Sequence, residues 1–341
     1  MKAAPEVHPH EFQGSVPDRL PADVIRELSV LRRGKAIEAI LVEWLGIAAA
    51  IALCEAFWHP ILYICAVVWI GARQHALTVL GHDAAHFRLF PTRVWNDRIG
   101  NWAVMWPVFL AADGYRYYHG EHHRFTGTPA DGNRTIWRTH TAAGELTSEW
   151  TFPKTRAGLV MTVLRRAALL TGLFWILRGF VAAIILRRSW GHLIFRMSYY
   201  GLIVGTIAAL GAMRGFLLYW IVPYCTAHIA YQYIRLICEH SAVHSHDPAY
   251  AVTRTTLARW WERWIIVPRN IHYHIEHHWY PSVPFYNLPA LHDVLMAQPR
   301  FRRYAVVTPS LIASLKQCIA RPRSGATISP TRDVNTGAEN V

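Results

Sequence analysis

The chain has 341 residues, 52% of them hydrophobic and 15 of them tryptophan, with positive mean hydropathy and a formal charge of +13. This composition excludes an ordinary water-soluble domain and points to a membrane protein. The charge does not point to nucleic acid: no basic stripe carries a recognition motif, and Arg and Lys instead flank apolar runs, where they serve as cytoplasmic anchors and as attraction for anionic lipid or an acidic protein donor.

Residues 1–36 form a polar segment expected to be cytoplasmic, and Met1 to Leu20 carries no apolar signal core, so the first span is expected to direct insertion itself. That span runs from about Ile40 to Trp58, and after His59 and Pro60 a second runs from Ile61 to about Leu80. The connecting turn has no Lys or Arg. Arg32, Arg33 and Lys35 precede the hairpin and Arg88, Arg93 and Arg98 follow it, which places both outer ends in the cytoplasm and puts His82 and His86 at the inner mouth of the second span. The apolar stretch Trp102 to Ala112 is too short to cross and is expected to lie in the interface or to re-enter.

Three apolar runs follow. Ala167 to Leu186 is interrupted by Arg178 and bracketed by Arg165, Arg166, Arg187 and Arg188, so it is expected to lie at the headgroups. Leu193 to Ala212 and Phe216 to Ile237 are cleaner and are expected to span, hinged at Gly211 to Gly215. The expected fold is an all-α integral membrane protein: four transmembrane helices in two hairpins, a cytoplasmic helical cap, a membrane domain over residues 37–320 and a disordered tail over 321–341. Tryptophans such as Trp58, Trp95, Trp106, Trp220 and Trp264 are expected to form an interfacial belt, with Trp102 and Trp106 as candidate tunnel-lining residues. Cys54, Cys65, Cys225, Cys238 and Cys318 show no paired spacing, so neither a disulfide framework nor a thiolate metal site is indicated.

Three histidine clusters stand out: His82 and His86 in GHDAAH, His119, His122 and His123 in HGEHH, and His274, His277 and His278 in HIEHH. Residues three and four apart share one face of a helix, so each box presents its imidazoles together. One pair spaced four apart arises about once by chance at this histidine content, whereas two HxxHH boxes arise on the order of 0.002 times. One ion cannot use eight imidazoles, so two ions are implied, and neutral imidazole suits iron, zinc, copper or nickel. Asp83, Glu121 and Glu276 fall between the box histidines and are expected to hydrogen-bond imidazole N–H groups rather than coordinate. His75, inside the second span beside Arg73 and Gln74, is expected to join a buried polar network.

The order of the boxes, divided by a membrane hairpin, resembles the membrane fatty acid desaturase and hydroxylase superfamily, and GHDAAHFRLF, HGEHHRFT and NIHYHIEHHWYPSVPFYNLPALH match its bacterial desaturase branch. The likeness runs from about Gln74 to His292. It implies two iron ions (Fe2+) at the cytoplasmic face, O2 as co-substrate and a multi-pass protein of the bacterial inner membrane with both termini cytoplasmic. The segment RLICEH resembles the family's Arg-x-x-x-Glu-His, which makes His240 a ninth candidate ligand, with Glu239 beside it as a supporting carboxylate. The chain keeps Thr126 and Asp131 after the second box but has Gly132 and Asn133, and it has His272 where an asparagine is common. His272 and His244 are assigned supporting or incidental places.

The resemblance implies an oxidoreductase that introduces a C=C bond into a fatty acyl chain in lipid metabolism. Alternatives are a desaturase of a small amino-acid-derived metabolite of the rhizobitoxine type, or a hydroxylase or ketolase of a lipid or carotenoid. From a different class come a membrane metal transporter and a zinc hydrolase. A transporter would carry its ligands near the bilayer midplane, whereas these boxes lie outside the spans. No haem-attachment or dinucleotide motif accompanies the boxes, so a separate ferredoxin or cytochrome b5-type donor with its reductase is expected.

Overall fold

The computed structural model describes residues 16, 19–126, 131, 155–185 and 189–319; the expected disordered tail, Gly132 and Asn133, and residues 1–15, 17 and 18 of the polar N-terminal segment lie outside them. A short helix α1 (Ala22–Leu28) leads into α2 (Arg33–Ala56) and α3 (Pro60–Ala85), which pack as a hairpin. Pro60 starts α3 where its missing N–H costs nothing, and His59 caps the helix by accepting from Ile61 N through Nδ1 at 3.2 Å. At 26 residues α3 is about 39 Å long, enough to cross the ~30 Å hydrocarbon layer and still project a turn beyond it. Every residue from Ile70 to Ala85 is buried, so the projecting end is enclosed by the rest of the protein.

Helix α4 (Arg93–Ile99) continues as a π-helical turn, Gly100–Met105, before α5 (Ala112–Phe125) begins. The loop that leaves α3 is fixed by one side chain: Asn96 Oδ1 accepts from Leu89 N and Phe90 N, both at 3.0 Å, while its Nδ2 donates to Thr92 O at 2.8 Å. Trp106 follows the π turn and is 1% exposed, a correction to its place in an interfacial belt; the turn folds it inward under Phe195 and Tyr199.

Helices α6 (Arg156–Arg166) and α7 (Leu169–Ile185) form a pair bent by 59°, followed by α8 (Trp190–Ala209) and a turn at Gly211, whose φ of +66° is the left-handed conformation glycine adopts without a steric cost. The chain returns through α9 (Met213–Phe216), two π-helical turns at Leu217–Ile221 and Tyr224–His228, and α10 (Ile229–His240). Gly172 lets α7 cross the second π turn closely: a Cβ there would sit 2.1 Å from the Cys225 Cα.

Among the described residues α2 and α3 are long and apolar enough to cross a membrane, and the bent α6 and α7 pair passes the same measure if taken as one span. Leu41, Leu45, Leu53, Ile61 and Ile64 of the first hairpin are exposed on its outer face, as are Ile194 and Leu202 of α8. Such apolar surface is normal for groups that meet lipid.

The remaining elements form a compact cap: β1 (Thr255–Thr256), α11 (Trp260–Ile265), α12 (His274–Trp279), α13 (Leu288–Met296), α14 (Pro299–Tyr304), β2 (Val307–Thr308) and α15 (Leu311–Ile319). The two strands pair in parallel, Thr255 with Val307 and Thr256 with Thr308, a small addition to the all-helical expectation. The cap has its own core of Leu20, Tyr250, Ile275, Leu288, Leu291 and Phe301. A buried ion cluster ties it to the hairpin: Glu43 of α2 accepts from Arg73 Nη1 of α3 at 2.9 Å and from Arg269 Nε of the cap at 2.7 Å.

Candidate metal centre

Four helix ends converge. His82 lies in the last turn of α3 and His86 caps it, α5 carries His119, His122 and His123, His240 ends α10, and α12 carries His274, His277 and His278. All nine imidazoles gather into two adjoining sets. His82, His86, His119, His123 and His277 form one and His122, His240, His274 and His278 the other, with the candidate ligand atoms of each set within 4.8 Å of one another.

Helix geometry accounts for part of the partition, and the meeting of the helices for the rest. Residues four apart point the same way, so His119 and His123 stay together, as do His274 and His278, while the residue between them is rotated aside. His122 therefore joins the pair from α12, and His277 joins the pair from α5. Each HxxHH box serves both sets.

Within the sets the nitrogens crowd. His123 Nε2 lies 2.9 Å from His119 Nε2 and 3.0 Å from His277 Nε2, and His274 Nε2 lies 2.9 Å from His240 Nε2 and 3.2 Å from His278 Nε2. Two ligands at ~2.1 Å from one ion and at right angles are ~3.0 Å apart, so this spacing is that of donors around a cation. The Nε2 atoms of His82 and His122 are buried with no hydrogen-bond partner among the described residues, a costly arrangement that a bound ion would satisfy. Burial, reinforced by the neighbouring imidazoles, pushes His119, His123, His274, His277 and His278 well below the usual histidine range. For His86 burial together with Arg88 and Arg116 lowers the value to about 3. These rings are neutral at physiological pH, the form that offers a lone pair. The residues present fit two metal ions.

The outer nitrogens of several rings are held. His122 Nδ1 donates to Asp131 Oδ1 at 2.8 Å and His240 Nδ1 to Val252 O at 3.2 Å, which leaves Nε2 of each facing inward. His82 Nδ1 lies 3.3 Å from Asp83 Oδ1, and the other Asp83 oxygen accepts from Phe285 N at 3.0 Å. Glu239 Oε2 is 3.5 Å from His274 Nε2, and Arg235 lies 3.2 Å from its Oε1. Glu276 accepts instead from Thr255 Oγ1 and His292 Nδ1, pinning α12 to β1 and α13. Glu121 is half-buried with no hydrogen bond or ion pair among the described residues.

His272 is buried against Tyr273, its value lowered to about 4 by burial, and His244 is exposed. His75 is fully buried, as expected, with its ring packed edge-on to His228 at 5.8 Å. The polar network is carried by its neighbours, through Arg73 to Glu43 and Gln74 Nε2 to Trp220 O at 2.9 Å. Sequence reasoning did not find Asp131 as the partner of His122 or His292 as the partner of Glu276. The only signal for Asp131 was its agreement with the family pattern, and both contacts are set by tertiary folding.

Residues 56–309 match the fatty acid desaturase family model. The chain is 28% identical over 318 residues to the dihydrorhizobitoxine desaturase of Bradyrhizobium elkanii, covering 86% of this chain and 88% of that protein. It is 22% identical to the sn-1 oleoyl-lipid 12-desaturase of Arthrospira platensis, covering 82% and 83%, and 25% identical to a chloroplastic omega-6 fatty acid desaturase of Arabidopsis thaliana, covering 81% and 61%. With three histidine boxes folded into two imidazole sets and the family model matched over most of its length, the chain belongs to the fatty acid desaturase family.

Proposed function

We propose that the chain is an O2-dependent desaturase holding two iron ions, one in each histidine set. The observation that carries this reading is the division of nine buried imidazoles into a set of five and a set of four. The nitrogen donors alone suit several metals, and the choice of iron rests on the family. When bound, a ferrous pair supplies the reductive activation of O2 that an unactivated C–H bond demands. In the overall reaction two adjacent carbons each lose one hydrogen, and O2, two external electrons and two protons are consumed to give an alkene and two waters. His82, His86, His119, His123 and His277 would hold one ion and His122, His240, His274 and His278 the other. Asp131 and Val252 O fix the rings of His122 and His240 by accepting their Nδ1 protons, and the neutral, buried rings exclude competing protons.

A separate ferredoxin or cytochrome b5-type protein, with its reductase, would supply the electrons. The reading includes four membrane spans, with Leu193 to Ala212 and Phe216 to Ile237 as the second hairpin, and an active site on the cytoplasmic face. The family supports a fatty acyl substrate. A small amino-acid-derived substrate is favoured by the relative that acts on dihydrorhizobitoxine, which aligns over nearly the whole of both chains. The test is expression with a suitable donor, followed by profiling of fatty acids and polar metabolites against a His122→Ala control. A new double bond absent from the control is expected; protein that binds two zinc ions and stays inert towards O2 after iron reconstitution would sink the proposal.

A further inference from the structure

A cavity of about 410 Å³ opens directly beside the five-histidine set, with His86 and His119 in its wall. Arg88 lies in the same wall, and Leu20, Ile25, Trp279 and Pro281 supply an apolar lining. Among the described residues the lining includes Arg19, Arg88 and Arg116 and no carboxylate, which makes this wall electropositive.

The arginines are not equivalent. Arg116 is committed to the fold: its Nη2 donates to Asp97 Oδ1 at 2.7 Å, its Nε donates to Ala85 O at 2.8 Å, and its guanidinium lies 3.9 Å from the Phe87 ring centroid. Arg19 is exposed. Arg88 is half-buried, its Nε is buried without a hydrogen-bond partner, and its guanidinium makes no ion pair or hydrogen bond among the described residues. Asp83 attracts the guanidinium through space but makes no direct ion pair with it, its oxygens facing His82 Nδ1 and the Phe285 amide. A half-buried guanidinium left with open donors is an incomplete site, and planar carboxylates satisfy its fork.

We infer that Arg88 binds the carboxylate of the substrate in this cavity, and that the substrate is a short free carboxylic acid with an apolar chain. The inference rests on the two-metal desaturase reading for the reaction, though binding itself does not need turnover. A sphere of the cavity's volume is about 9 Å across, within the lower range of small-molecule sites. Arg88 lines the same cavity as His86 and His119 and stands two residues from His86, so a chain held by its carboxylate at Arg88 presents its first carbons to the metal set, while the cavity stays open on its outer side. Acyl thioesters and glycerolipids have no free carboxylate and would leave Arg88 unpaired, which a site built around a polar contact penalises.

The test uses the purified, iron-loaded full chain in detergent and radiolabelled hexanoate, read by scintillation proximity. Wild type is expected to bind hexanoate saturably, with hexanamide competing at least ~10-fold more weakly because it lacks the charge. Arg88→Gln is expected to lose at least ~10-fold in affinity, Arg88→Lys is expected to recover part of it, and both are expected to keep the wild-type iron content. Hexanoate binding that is unchanged in Arg88→Gln, equal competition by the amide, or absence of saturable binding would overturn the assignment. Oleate binding without hexanoate binding would overturn the short-acid class, and displacement by inorganic phosphate as readily as by hexanoate would overturn the carboxylate. Arg88-dependent hexanoate binding by a protein that carries no iron would leave the site standing and remove the desaturase reading instead.

Discussion

His123 and His278 stack with ring centroids 4.3 Å apart and planes inclined by 19°, one from each imidazole set. The two sets thus share a wall made of ligand rings. A change at one should be felt at the other, yet each set should keep a separate capacity for metal.

Removing His240 should empty the four-membered set while the five-membered set keeps its donors. After dialysis against a chelator, His240→Ala is expected to keep about one ion per chain where the wild type keeps about two, since three imidazoles hold an ion less tightly than four. His75→Ala, outside both sets, should retain both ions. Inductively coupled plasma measurement of iron per chain checks both.

Asp131 holds His122 through the 2.8 Å contact to Nδ1. Asp131→Asn should weaken metal binding at the four-membered set by ~10- to 100-fold, with smaller loss than His122→Ala. Competition with a chelator of known affinity measures it. Equal affinities in wild type and Asp131→Asn would contradict the role.

Glu43 balances Arg73 and Arg269 where all three meet between hairpin and cap. Glu43→Ala leaves two arginines facing a fully buried position and should cost about 3–5 kcal/mol. Thermal unfolding in detergent should show the loss, and a Glu43→Ala protein that melts with the wild type would refute it.

Gly172 allows α7 to pass the Cys225 backbone, where a Cβ would meet Cα at 2.1 Å. Gly172→Ala cannot be absorbed by a rotamer change and should destabilise by about 1–3 kcal/mol or more. Gly201, with open space around its would-be Cβ, is the control, and Gly201→Ala should be tolerated.

The metal-free protein should lose stability on acidification. His86 titrates near 3 when folded and near 6.5 when unfolded, so its contribution is complete above about 6.5 and disappears as the pH falls towards about 3. The lowered values of His119, His123, His274, His277 and His278 act in the same direction. Denaturant midpoints measured between pH 7 and 4.5 should fall continuously, and a flat profile would contradict the burial of these rings as neutral groups.

Much of this was legible in the chain itself, because it depends on local geometry. Three- and four-residue spacings place imidazoles on one helix face whatever surrounds the helix, so the nine histidines that gather were identifiable from GHDAAH, HGEHH, HIEHH and RLICEH with their family likeness. The first hairpin was equally plain, since α2 and α3 are long apolar runs separated by His59 and Pro60. What only the tertiary structure decided is the assignment of each ring. His122 parts from His119 and His123, and His277 from its own neighbours, only once α3, α5, α10 and α12 meet end to end. The same holds for Asp131 on His122 and for the open guanidinium of Arg88 beside His86 and His119. Sequence spacing fixes which way a side chain points from its helix; what it meets there depends on contacts between residues far apart in the chain, and those exist only in the folded molecule.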